Sequence, residues 1–273
     1  MKKKLLSLFW PPYCFVCETW IKKENEFFVD GICYPCTLEK KALLPQIQVC
    51  DVCQEPTESD SKRCLYCKAF DSPLSSIHSL YQYTPHARSL IHAYKYQKKF
   101  ALKNALSYFA KEALLQSERQ DILQSASFIL SIPPSPRALQ HRGFSHTAEL
   151  AKNIATYLNV PYAFAALKVA KSKLPQALTP IIDRKKNVSG NFVVTANNLK
   201  GKSVILFDDI LTSCATLESA AQALKENGAE SIHALTLFRT PQFFKNRLLI
   251  KWASLENVFN WQTQEEFIAD DAF

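Results

Sequence analysis

Glycine is scarce in this chain, with five residues in 273. Glycine is the residue that tolerates positive φ without strain, so each of the five is expected to mark a specific backbone need. Long apolar runs are missing too. The opening Met1-Lys-Lys-Lys-Leu-Leu-Ser-Leu-Phe-Trp10 has the charge and apolarity of a signal sequence, but the run stops at Pro11-Pro12 with no small-residue cleavage site after it. A short amphipathic or capping helix is expected there instead. No other stretch supplies the roughly 20 apolar residues of a membrane-crossing helix. The expected setting is therefore the cytoplasm. The six histidines are scattered without metal-ligand spacing and are read as surface or polar core residues.

What is present is an ordinary globular balance. Hydrophobic residues make up 47% and charged residues 21%, which is enough apolar matter for a real core. The length allows one large domain or two smaller ones. Charge is unevenly spread. Residues 1–70 carry ten Lys/Arg against nine Asp/Glu, residues 71–245 carry twenty-one against eleven, and residues 246–273 carry two against five. The excess positive charge belongs to the middle segment. It suits a polyphosphate or nucleic acid partner, and equally a merely soluble basic surface.

Eight of the nine cysteines form four C-x-x-C pairs: Cys14/Cys17, Cys33/Cys36, Cys50/Cys53 and Cys64/Cys67. Two intervening residues let both thiolates of a pair reach one metal from a tight turn, and two such knuckles complete a tetrahedral zinc site. Disulfides would need an oxidising compartment, and a redox C-x-x-C usually stands once, at a helix start. Two structural zinc ions are expected. Pairing the first knuckle with the second and the third with the fourth closes the shorter loops.

A second motif follows Gly201. Lys202-Ser-Val-Ile-Leu-Phe207 reads as a buried parallel strand, Asp208-Asp-Ile-Leu-Thr-Ser-Cys-Ala-Thr216 as the loop after it, and Leu217 to Asn227 as a helix stopped by Gly228. Ser231–Phe238 reads as the next strand. At a helix N-terminus, backbone N–H groups and the hydroxyls of Thr212, Ser213 and Thr216 suit a phosphate. The acids Asp208 and Asp209 suit ribose hydroxyls, directly or through Mg²⁺.

Phe207-Asp-Asp-Ile-Leu-Thr-Ser-Cys-Ala-Thr216 resembles the signature of type I phosphoribosyltransferases. Further segments resemble the ComF family of competence-associated proteins: His92-Ala-Tyr-Lys-Tyr96, Ile132-Pro-Pro-Ser-Pro-Arg137, Arg142-Gly-Phe144, and Gln176-Ala-Leu with Arg184, Asn187 and Phe192. The four cysteine pairs ahead of the α/β segment match that family's layout. The resemblance implies a parallel sheet flanked by helices, of the type I phosphoribosyltransferase kind, preceded by a small cysteine-rich zinc ribbon domain. The implied division is 1–72 for the ribbons, 73–245 for the α/β domain and 246–273 for an acidic tail.

The implied ligand is phosphoribosyl pyrophosphate with Mg²⁺. It would be held by Asp208, Asp209, Thr212, Ser213, Cys214, Ala215 and Thr216, with Arg137 and Arg184 as further contacts. Asp208, Asp209 and Arg142 would stand at the reacting centre. Phe128–Ile132 reads as a strand, and the basic stretch after it carries Arg137, His141 and Arg142 in a loop. Phe144–Leu158 is expected as a helix. Residues 168–194 resemble the hood segment of the fold and carry Lys171, Lys173, Arg184, Lys185 and Lys186. Two positions depart from the family. Cys214 stands where glycine is commonest, and Ser145-His146 replaces the usual Asn-Gln.

Tyr94 to Phe100 interleaves aromatics and lysines. The stretch reads as a platform for single-stranded nucleic acid, or as a helix end with core aromatics and dipole-complementing lysines. Two functions follow. One is a ComF-like protein of DNA uptake and natural transformation that binds phosphoribosyl pyrophosphate and single-stranded DNA, with competence or recombination proteins as partners. The other is an active phosphoribosyltransferase that displaces pyrophosphate with an unidentified acceptor.

Overall fold

The computed structural model of the protein describes residues 14, 19, 27–29, 32–33, 49–55, 57, 61–97, 99–117, 120–170, 191–196 and 198–240. The expected N-terminal helix, the acidic tail, Cys17, Cys36, Arg184 and the other hood lysines after 170 lie outside those residues.

Four parallel strands form the central sheet: β3 (Ser76–Gln82), β4 (Phe128–Ser131), β7 (Ser203–Leu211) and β8 (Ser231–Arg239), in the spatial order β3-β8-β7-β4. The run Val204-Ile-Leu-Phe207 is fully buried, as a strand covered on both faces must be. Two antiparallel pairs lie outside the sheet: β1 (Phe27–Val29) with β2 (Ile32–Cys33), and β5 (Leu167–Val169) with β6 (Phe192–Val194). The second pair falls at the two ends of the expected hood.

One face of the sheet packs on α2 (Pro85–Tyr96), α3 (Leu102–Leu115) and α6 (His146–Leu158), through Leu90, Leu106, Ile154, Ile205 and Phe207 among others. The short α4 (Gln120–Gln124) adds Leu123 to that layer. The opposite face packs on α7 (Ala215–Glu226) and on the Cys50–Cys67 segment, where α1 (Leu65–Ala69) lies. The helices start where local chemistry allows. Thr84 with Pro85 opens α2, Ser135 with Pro136 opens α5 (Pro136–Arg142), and Ser145 opens α6, each cap side chain accepting a backbone N–H.

Both outer strands are covered. The Val52 carbonyl accepts from Ile77 N at 2.6 Å and the Gln54 side chain accepts from Ser79 N at 2.9 Å, so the third cysteine knuckle closes the outer edge of β3. On the far side, Ile129 exchanges backbone hydrogen bonds of 2.8 Å with Pro161 and Ala163.

The expected elements hold, with three shifts. The basic stretch carrying Arg137 and Arg142 is a helix, α5, because Ser-Pro is a helix-starting pair and Gly143 at φ +77° ends it in the left-handed conformation. The following helix starts at His146, since Ser145 serves as its cap. Strand β7 runs on through Leu211, because Ile210 and Leu211 keep pairing with Phe238 and Arg239. The two acids therefore sit inside the strand rather than after it. Gly143, Gly201 and Gly228 all have positive φ, in keeping with the reading of scarce glycine.

Candidate functional site

The carboxyl end of β7 carries the phosphate-type segment into α7. Thr212 and Thr216 are exposed, Ser213 and Ala215 half-buried and Cys214 buried. Cys214 has φ +68°, the left-handed conformation that glycine adopts at no steric cost, and it stands at the N-cap of α7. No side-chain cap hydrogen bond closes this helix start, unlike α2, α5 and α6. The first turn of α7 thus presents its N–H groups and positive dipole end beside the segment's hydroxyls.

The two acids have different surroundings, since successive residues of a strand face opposite sides of the sheet. Asp209 is buried on the α2/α6 side, where its Oδ2 lies 2.5 Å from Lys95 Nζ and 3.3 Å from His146 Nε2. Burial opposes its ionisation, but the hydrogen bond from His146 and the charge of Lys95 outweigh that and hold the carboxyl below the usual carboxylate range. Asp208 is half-buried and its Oδ1 accepts from Asp209 N at 2.8 Å. Burial, then the neighbouring Asp209 charge, pushes it well above the usual range. Two adjacent carboxyls are split into a standing anion and a group that tends to keep its proton. That is the arrangement by which a site separates acid from base.

Arg142, at the end of α5, reaches the same place. Its Nη1 lies 2.6 Å from His146 Nδ1, and its guanidinium lies 5.5 Å from the centroid of the Tyr96 ring. Arg137, one turn earlier on α5, is exposed. The geometry thus gathers Asp208, Asp209, Arg142 and the start of α7, and adds Lys95 and His146. In sequence Lys95 reads as part of a nucleic-acid platform or a helix end, with no sign of its contact to Asp209. His146 belongs in sequence to the Ser145-His146 pair that departs from the family after Arg142-Gly-Phe, and nothing local assigns it a partner. Burial lowers the His146 pKa, and Lys95 and Arg142 add to this against the opposing pull of Asp209.

The Tyr94–Phe100 stretch divides. Tyr94 is core, Lys95 turns inward to Asp209, and Tyr96 and Phe100 are 52% and 53% exposed. Phe100 meets the half-buried Phe144 edge to face at 5.0 Å, so an aromatic strip leads from the surface to Arg142. Lys98 lies outside the described residues.

On the other face of the sheet, Cys50, Cys53, Cys64 and Cys67 converge, with all four sulfurs within 4.8 Å of one another. Cys53 Sγ and Cys64 Sγ are 3.6 Å apart, against about 3.8 Å between ligands of a tetrahedral Zn–S site. Hydrogen bonds from the other three thiols pull Cys50 far below the usual thiol range. Four crowded, buried sulfurs of this kind could bind zinc. The third and fourth knuckles share the site, as the shorter-loop pairing expects. Cys14 and Cys33 also meet, Cys33 N donating to Cys14 Sγ at 3.4 Å. One backbone hydrogen bond recurs at Cys14 and Cys50: Cys14 N donates to Thr19 O and Cys50 N to Glu55 O, five residues on in each case, at 2.9 and 2.7 Å.

Arg239, buried at the end of β8, joins cluster to sheet. It donates to the Cys53 carbonyl at 3.0 Å and pairs with Glu55. Ser72 Oγ donates to Glu218 of α7 at 3.3 Å.

Residues 145–267 match the family model described as "Phosphoribosyl transferase domain". Among characterised relatives, the chain is 25% identical over 230 residues to "DNA utilization protein YhgH" of Salmonella typhimurium, covering 84% of this chain and 98% of that protein. It is 22% identical over 212 residues to "Competence protein F" of Haemophilus influenzae, covering 77% and 91%. It is 26% identical over 248 residues to "Competence protein ComFC" of Bacillus subtilis, covering 83% and 95%. These likenesses support the ComF family for this chain. Its α/β part has the phosphoribosyltransferase-type fold, a parallel sheet flanked by helices. A solved glutamine phosphoribosylpyrophosphate amidotransferase from B. subtilis aligns at TM-score 0.35 and 18% identity, over 50% of this chain and 26% of that chain's length. No helix among the described residues is long and apolar enough to cross a membrane.

Proposed function

We propose that this ComF-family protein binds phosphoribosyl pyrophosphate with Mg²⁺ at the carboxyl end of β7, binds single-stranded DNA, and acts in DNA uptake. The observation that carries the first part is the left-handed turn at Cys214, which opens α7 with no side-chain cap directly beyond Asp208 and Asp209. A 5-phosphate would be taken by the α7 N-terminus with Thr212, Ser213, Ala215 and Thr216. Asp208 would meet the ribose hydroxyls, directly or through Mg²⁺, while Asp209 sets the charge beneath it. Arg142, with Arg137 and Arg184, would meet the diphosphate. The DNA part rests on the relatives' names, on the basic balance of residues 71–245 and on the exposed Tyr96 and Phe100 near Arg142, a stacking surface beside cations. Two zinc ions, one per pair of knuckles, complete the reading. The expected setting is the cytoplasm.

The competing reading is an active transferase, in which Arg142 and Mg²⁺ stabilise departing pyrophosphate. Calorimetry with phosphoribosyl pyrophosphate and Mg²⁺ tests the ligand, and no heat at millimolar ligand would end the proposal. A parallel titration of labelled single strands should weaken steeply with salt. Pyrophosphate release on adding nucleobases or amines would favour the transferase, and binding without release the DNA-uptake role.

A further inference from the structure

We infer that single-stranded DNA lies along the groove between α3 and α6, with bases stacked on Phe100, Tyr157 and Phe164 and phosphates set against Lys103, Lys111 and Lys152. This rests on the DNA part of the reading above and gives that partner a path leading away from the phosphoribosyl site.

The groove is a product of register. Lys103 meets Glu149 at 3.2 Å, Ser107 meets Asn153 at 2.9 Å, and Lys111 Nζ lies 5.6 Å from the centroid of the Tyr157 ring. Each pair joins residues 46 apart, and successive pairs stand four residues on along both helices. The two helices therefore run parallel, side by side, with these residues on their facing edges. Four residues of helix rise about 6 Å, so the three rungs span about 12 Å. Buried Ser107 belongs to the floor, while Lys111, Lys152 and Tyr157 are exposed. At the amino ends of both helices, Phe100 and Phe144 pack edge to face at 5.0 Å and carry the line on to Tyr96 and Arg142. To one side stands Phe164, 76% exposed, with Lys152 Nζ 5.8 Å from its centroid.

Single exposed rings are ordinary on a protein surface. Exposed rings that each stand beside a cation are not. Such pairs occur roughly once per 70–80 residues, and three of them, Tyr96–Arg142, Tyr157–Lys111 and Phe164–Lys152, fall along this one groove and its mouth. A ring beside a cation offers a base a stacking face and the adjoining phosphate a charge. Glu149 accepts from both Lys103 and Lys152, at 3.2 and 2.8 Å, so that trio keeps one net positive charge, and Lys111 and Arg142 add theirs. Glu112, next to Lys111 in sequence, is hydrogen-bonded with Tyr108. Duplex DNA keeps its base faces stacked inside, and an acidic peptide has charge without flat bases. The combination of rings with cations selects a single strand.

The test titrates a labelled oligothymidylate of about 20 nucleotides, longer than the site sizes of about 4–16 usual for such surfaces, into the whole protein, read by fluorescence anisotropy over a series of salt concentrations. Tyr157→Ala and Phe164→Ala should each weaken binding about fivefold or more, and Tyr157→Phe, which keeps the ring, should match wild type within about twofold. Lys111→Gln should lower the slope of log affinity against log salt by about 0.7. All four variants should melt as wild type does, because the altered side chains are exposed. Unchanged affinity in both alanine variants would put the strand elsewhere and overturn the inference while leaving the DNA reading standing. Duplex DNA or polyglutamate competing as well as unlabelled single strand would overturn it too, since the groove would then be a general site for polyanions. No binding of the strand by wild type at low salt defeats the DNA reading and the path with it.

Discussion

The cysteine cluster and the paired aspartates face the same electrostatic difficulty and meet it in opposite ways. Each crowds acidic groups into a water-poor place. The cluster brings together four buried sulfurs from one short stretch of chain. A bound cation would supply its neutralising charge. The aspartates carry their counter-charge within the chain. Lys95 and His146 hold Asp209 as an anion, and Asp208 is pushed toward its neutral form. A site with an internal counter-ion can stand ready and half-open for a ligand, whereas one without it is closed by the ion that completes it.

The largest expected effect breaks the cluster. Cys53→Ser should cost more than about 4 kcal/mol of stability and abolish a cooperative thermal transition, because loss of a structural metal forfeits binding energy that is also folding energy. Elemental analysis should fall by one zinc per chain against wild type. An unchanged zinc content and melting curve would remove the cluster from the account.

Next comes the internal counter-ion. Lys95→Met leaves Asp209 buried with only a neutral histidine, and should destabilise the protein by about 3 kcal/mol in a denaturant titration. A loss near zero would mean that Asp209 has taken up a proton or found water.

Asp208→Asn should act in the other direction on stability. A carboxyl whose folded pKa is raised holds a proton that the unfolded chain has already released at the same pH. Its contribution is full below the ordinary carboxylate pKa and is lost as pH rises through the folded value. An asparagine keeps the acceptor for Asp209 N without that loss, so the variant should be more stable by about 1 kcal/mol at pH 7 and less dependent on pH. Ligand affinity should fall at the same time. Equal affinity would show the carboxyl to be a strand residue only.

The smallest effect is at the turn. Cys214→Gly relieves a left-handed non-glycine, worth about 1 kcal/mol, and should tighten phosphoribosyl pyrophosphate binding by about tenfold at most. Weaker binding, with a wild-type thiol unusually fast toward iodoacetamide, would give the sulfur a role of its own.

What could be read in the sequence was whatever lies close along the chain. The C-x-x-C knuckles, the strand–turn–helix around Asp208–Thr216 and the scarcity of glycine all act over a few residues. Spacing pointed to the zinc knuckles and to one strand–loop–helix–strand unit, and the family resemblance implied the flanked parallel sheet and the ribbon domain. Lys95 and His146 reach Asp209 only because α2 and α6 pack on the same face of β7, and nothing local to either residue announces that meeting. The helix at Pro136–Arg142 went unread for a different reason. Its basic residues suggested a loop, while its Ser-Pro start was as plain a signal as any cap. The two aspartates look equivalent in a loop but not in a strand, and pairing that continues through Leu211 puts their side chains on opposite faces.

The knuckle lying along β3 has a consequence for assembly. An uncovered outer strand is an invitation to pair with a further strand, from another copy or from an extended peptide. Val52 and Gln54 occupy that line on one flank and residues 161–163 occupy it on the other. At these described positions the sheet is closed to such lengthening. A partner of the kind proposed above would instead meet the protein through helix ends, exposed rings and the mouth above β7.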